Sequence, residues 1–85
     1  MIRYVGLDVH KKFIQVCMLD AQGGKVREER VLTEHAALQG FAQRLTAEDQ
    51  VAMEACSFAW NLYDLLEPYA GGITVCNAYQ TRAIA

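Results

Sequence analysis

Arg3-Tyr4-Val5-Gly6-Leu7-Asp8-Val9, then His10-Lys11-Lys12, then Phe13-Ile14-Gln15-Val16-Cys17-Met18-Leu19 is the stretch from which the fold is read. In its first part Val5, Leu7 and Val9 alternate with Tyr4, Gly6, Asp8 and His10, the period-two pattern of a strand whose faces differ. The second part is rich in aromatic and β-branched residues and almost unbroken in apolarity, which predicts a central strand buried on both faces. The short connection between them leaves room only for a tight reversal, so the two strands are expected to pair antiparallel. Asp20-Ala21-Gln22-Gly23-Gly24 is a turn signal, because glycine supplies the positive φ such turns need. A third strand follows at Lys25–Leu32, where Arg27, Glu28, Glu29 and Arg30 mark a charged, exposed edge.

Beyond this meander the period changes. Thr33 is a candidate N-cap, and Leu38, Phe41, Ala42 and Leu45 recur at helical spacing to give one apolar stripe. After the polar break at Thr46-Ala47-Glu48-Asp49-Gln50, residues 51–55 read as a short buried strand ending at or just after Glu54. Leu62, Leu65, Leu66 and Tyr69 mark a second helix, with Pro68 in or ending its final turn and Gly71-Gly72 closing it. Residues 73–77 read as a fifth strand, and 78–85 begin a helical segment. The order β-β-β-α-β-α-β predicts an α/β fold with a mixed sheet, the first strand beside the fourth and helices on the faces.

The 85 residues suffice for one domain, and 53% hydrophobic with 21% charged residues excludes a disordered chain. A net charge of −2 argues against a domain that holds nucleic acid by bulk charge. Cys17, Cys56 and Cys76 are odd in number and form no CxxC pair, so they are expected to be reduced, buried thiols of a cytosolic protein. No apolar run approaches the ~18 residues of a membrane span, and no signal peptide precedes the first strand, so a cytoplasmic location is expected.

Asp8 and Glu54 each interrupt an apolar strand. If strands one and four are neighbours, the two carboxylates come within a few ångströms, where they would repel by about 4 kcal/mol at an effective dielectric of about 20. A hard divalent ion such as Mg²⁺ or Mn²⁺ would remove that repulsion and would serve phosphodiester chemistry. The spacing leaves a second reading open, in which Glu54 ends its strand in solvent and Asp8 bonds the adjacent hairpin. Lys11 and Lys12 are candidates for contacting a nucleic-acid backbone, or else form a solvated hairpin tip. His10 is a candidate ligand or acid/base group, or merely exposed. Phe58, Trp60 and Tyr63 could stack on bases but are expected in the core. Cys56-Ser57 has no histidine placed to serve it, which argues against a thiol or serine hydrolase.

Gly6-Leu7-Asp8-Val9-His10-Lys11-Lys12, Met53-Glu54-Ala55-Cys56 and Val75-Cys76-Asn77-Ala78-Tyr79-Gln80, in this order, resemble the N-terminal part of a DEDD transposase of the bridge-RNA-guided insertion-sequence family. The resemblance spans essentially the whole chain and departs from the family's pattern at Ser57-Phe58 and Ala78. It implies a RuvC-like, ribonuclease-H-type fold over residues 1–85. It also implies that Asp8 and Glu54 are the first two acidic residues of the DEDD set, binding Mg²⁺ for cutting and joining DNA strands. Two further aspartates and a domain with a serine nucleophile would lie beyond Ala85, so the chain is expected to be a truncated catalytic domain, inactive alone. DNA, a guide RNA and further copies of the chain are the implied partners. Two other readings are weighed: an actin-like or sugar-kinase ATPase lobe, disfavoured because Val9, His10 and Lys11 follow the aspartate instead of small residues, and a non-catalytic assembly module.

Overall fold

In a computed structural model, which describes residues 1–77, the opening alternation becomes three antiparallel strands: β1 (Arg3–Val9), β2 (Phe13–Leu19) and β3 (Lys25–Leu32). The first reversal is closed by the His10 amide donating to the Phe13 carbonyl at 2.9 Å. At the second, Asp20 Oδ1 accepts from the amides of Gln22 and Gly24, and Gly23 takes the positive φ of 85° that the turn requires. Helix α1 (His35–Arg44) leads to β4 (Asp49–Glu54), and α2 (Ala59–Leu66) leads to β5 (Gly72–Cys76). The sheet order is β3-β2-β1-β4-β5, with β4 parallel to both β1 and β5. The expected pairing of the first strand with the fourth is therefore present. The helical segment expected over 78–85 lies outside the described residues.

Both helices pack on one face of this sheet. Val5, Leu7, Ile14, Val16, Met18, Val51 and Met53 point into a single core with Leu38, Phe41 and Ala42 of α1 and Ala59, Leu62 and Leu66 of α2. Alternation then turns Tyr4, Gly6, Asp8, Gln50, Ala52 and Glu54 to the opposite face, which no described helix covers. Three expectations are corrected by this arrangement. β2 is buried on one face only, because its Gln15 and Cys17 side looks onto the uncovered surface. The two described helices do not divide between the two faces. Trp60 is 61% exposed rather than in the core, since the eight-residue α2 buries only Ala59, Leu62 and Leu66.

Thr33 is not the N-cap of α1. Its hydroxyl donates to the Lys11 carbonyl at 2.8 Å and its amide to that of Lys12 at 3.0 Å, so it ties the first hairpin tip to the end of β3. Glu34 occupies the cap position without a side-chain bond. None of the three cysteines is buried: Cys17 and Cys76 are half-covered and Cys56 is exposed. Pro68 follows α2, where it cannot continue the helix.

The entry to β5 is a close approach of two backbones. The Gly71 amide donates to the Asp49 carbonyl at 2.8 Å, and a Cβ added at Gly71 would overlap the Ala47 carbonyl. Gly71→Ala is expected to cost about 1–3 kcal/mol through overpacking. Gly40, inside α1, is the opposite case: a Cβ there would meet open space, and Gly40→Ala should stabilise by roughly 0.5–1 kcal/mol. Urea midpoints of the two variants should move in opposite directions.

Candidate functional site

Leu7 and Met53 are register partners on the parallel strands β1 and β4, and both point into the core. Asp8 and Glu54 are the next residues on each strand, so alternation sends both carboxylates to the other side. The two border one cavity of about 360 Å³ together with Leu7, Val9, Ala55 and Cys56. It lies at the carboxyl ends of neighbouring parallel strands, where open α/β sheets form their ligand crevices. The sheet thus brings together the two acidic residues singled out from the sequence.

Their surroundings are polar and wet. Asp8 is 73% exposed, and its Oδ2 lies 3.0 Å from His10 Nε2. A carboxylate only accepts, so the imidazole nitrogen donates in this bond. Glu54 is exposed and makes no side-chain hydrogen bond or ion pair among the described residues. The backbone after it is pinned by the Ala55 amide, which donates to the Cys76 carbonyl at 2.6 Å. The sequence leaves several readings of His10 open. The period-two reading sets it on the same side as Asp8, and the 3.0 Å contact agrees with that placement. Lys11 and Lys12 sit in the hairpin connection, both exposed, with their carbonyls held by Thr33.

The donor set suits a hard divalent cation only in part. Two solvated carboxylates on adjacent strands offer the oxygen ligands that Mg²⁺ or Mn²⁺ takes. Among the described residues, however, no group of three or more His, Cys, Asp or Glu is placed to hold a metal ion. A cation here would keep most of its ligands as water, which Mg²⁺ commonly does.

A family model for transposases, that of the IS110-type DEDD enzymes, matches residues 5–85. The chain belongs to this transposase family. A comparison with curated proteins finds no significant match. Among the described residues, the five-stranded mixed sheet with two helices is the ribonuclease-H-like arrangement of the DEDD transposase domain. Membership in a transposase family makes DNA the substrate class and DNA recombination the process. Among the described residues no helix is long and apolar enough to cross a membrane.

Proposed function

We propose that Asp8 and Glu54 are the first two acidic residues of a DEDD transposase active site and hold a divalent metal ion for DNA strand cleavage and joining. The observation that carries this reading is their common cavity at the ends of β1 and β4, where, among the described residues, Glu54 has no side-chain partner and Asp8 has His10 alone. When bound, Mg²⁺ or Mn²⁺ supplies charge neutralisation of the phosphodiester and activation of the attacking oxygen. The chain's own part is to fix two carboxylates on rigid, paired strands over a packed core, so that the site needs little reorganisation. Lys11 and Lys12, on the neighbouring hairpin, would hold the DNA backbone by charge without reading its sequence. The family resemblance adds a guide RNA and further copies of the chain as partners, and a RuvC-like catalytic domain as the unit to which residues 1–85 contribute. With two of four acidic ligands, these residues alone are expected to bind metal weakly and not to transpose DNA.

Titration of the chain with Mn²⁺, followed by the loss of the free-ion paramagnetic resonance signal, tests the assignment. Weak binding is expected, lowered at least about tenfold in both Asp8→Ala and Glu54→Ala, which corresponds to about 1.4 kcal/mol per lost ligand. Affinity unchanged by either substitution would remove the assigned roles.

A further inference from the structure

A second cavity of about 450 Å³ lies beside the first, lined by Val9, His10, Lys11, Cys56, Ser57 and Phe58. The two share Val9 and Cys56, so they adjoin at the carboxyl ends of β1 and β4. Its lining is unlike that of an ion site. Val9 and Phe58 are apolar and packed against the core, Lys11 is a cation, and His10 contributes a planar ring.

That ring is fixed in orientation by two contacts. Phe13 stacks on it with centroids 4.6 Å apart and planes 29° from parallel, and Asp8 holds its Nε2. The Arg30 guanidinium in turn lies 3.8 Å from the centroid of the Phe13 ring. Arg30 and His10 therefore both contact the Phe13 ring, and His10, still 46% exposed, borders the cavity. A held ring, an apolar wall and a cation are the elements by which proteins bind single strands: a base stacks on the ring and a phosphate meets the charge. The volume falls within the ~300–1,000 Å³ of small-molecule sites.

We propose that this second cavity receives one unpaired nucleobase of the DNA strand, next to the phosphodiester at the metal site of Asp8 and Glu54, with the base stacked on His10 and the adjoining phosphate met by Lys11. The proposal rests on the reading of the first cavity as the phosphodiester site, because that reading puts a phosphate next door. The base must be unpaired, since a stacked duplex presents no free face to a protein ring.

Fluorescence anisotropy of labelled single-stranded DNA with the 85-residue chain, in chelator, tests it. A strand carrying bases is compared with an abasic strand of the same length. The base-containing strand is expected to bind at least about fivefold more tightly, and His10→Ala should cut that preference to under about twofold. His10→Phe keeps a ring and should retain the preference, which a merely structural role for the imidazole would not produce. Lys11→Gln should weaken both strands alike and lower the salt slope by about 0.7. Equal binding of the two strands, no binding of either, a preference that survives His10→Ala, or its loss in His10→Phe would each overturn the proposal. The Mn²⁺ titration of Asp8→Ala and Glu54→Ala judges the first cavity separately, so a failure of that reading is told apart from a failure of this one.

Discussion

Asp49→Ala is expected to destabilise the fold by about 3 kcal/mol, the lower end of the ~3–5 kcal/mol seen when one partner of a buried ion pair is removed. The Asp49 carboxylate is wholly buried and accepts from Arg3 Nε at 2.7 Å, Arg3 Nη2 at 2.9 Å and the Thr46 amide at 2.8 Å. Arg3 is 36% exposed and can rehydrate once its partner is gone, which sets the loss at the lower end. Arg3→Ala should cost at least as much, because it leaves the buried charge behind. Burial by itself pushes the Asp49 carboxyl up, but the Arg3 hydrogen bond, the Thr46 amide and the guanidinium charge outweigh it, and the group titrates below the usual carboxylate range. The folded chain thus holds this proton more weakly than the unfolded one. Its stabilisation is complete above the unfolded value of about 3.9 and is lost as pH falls from there through the folded value. Urea midpoints of the wild type should drop below about pH 4, and Asp49→Asn should flatten the profile in that window. Glu28, lowered by its bond from Lys25, lies in solvent and adds little to this dependence.

The same pair shows where the sequence stops being legible. β1, β2 and β3 run over the residues that hydrophobic patterning and turn chemistry predict: β1 through its alternation, β2 through its β-branched and aromatic run, and β3 through the glycine turn before it and its charged edge. Asp49 reads as part of a polar break, and only the register that sets Arg3 opposite Asp49 makes it the start of β4. A partner 46 residues away is tertiary information. Thr33 misleads for a related reason: a hydroxyl before a helix satisfies the capping pattern, but here the hairpin carbonyls of Lys11 and Lys12 are within its reach. Asp8 and Glu54 are legible because a charge interrupting an apolar strand stands out, and because the strand order that joins them follows from the β-β-β-α-β succession. His10, Phe13 and Arg30 are not legible as a group. Arg30 reads as edge charge and Phe13 as core, and their stacking depends on how β2 and β3 align.

Phe41→Ala is expected to cost about 3–5 kcal/mol, against a total stability of about 4–13 kcal/mol for a chain of this size. Phe41 is the largest of the fully buried side chains, 1% exposed at the centre of the α1 stripe. Apart from this packing, shared with the smaller Leu38 and Ala42, α1 has little to hold it. It is ten residues long, carries Gly40 in its interior and lacks a side-chain N-cap bond, so an isolated helix of this kind would not persist in water. Arg44 in its last turn reaches Glu29 at 2.9 Å, but a partly exposed pair contributes little beside a buried ring. Gln39 Nε2 donates to the Tyr69 hydroxyl at 3.2 Å and links α1 to the segment after α2, so loss of α1 should reach the rest of the core. Trp60, the chain's one tryptophan, reports on α2. Its fluorescence and the far-ultraviolet helix signal should lose amplitude at the same, lowered urea concentration in the variant, as a single cooperative unit requires. A midpoint shift worth under about 1 kcal/mol, or two separate transitions, would show that α1 is not what closes this core. In the cooperative case Phe41→Ala also weakens Mn²⁺ binding, by the unfolded fraction alone, because Leu7 and Met53 beneath the two carboxylates belong to the same core as Phe41.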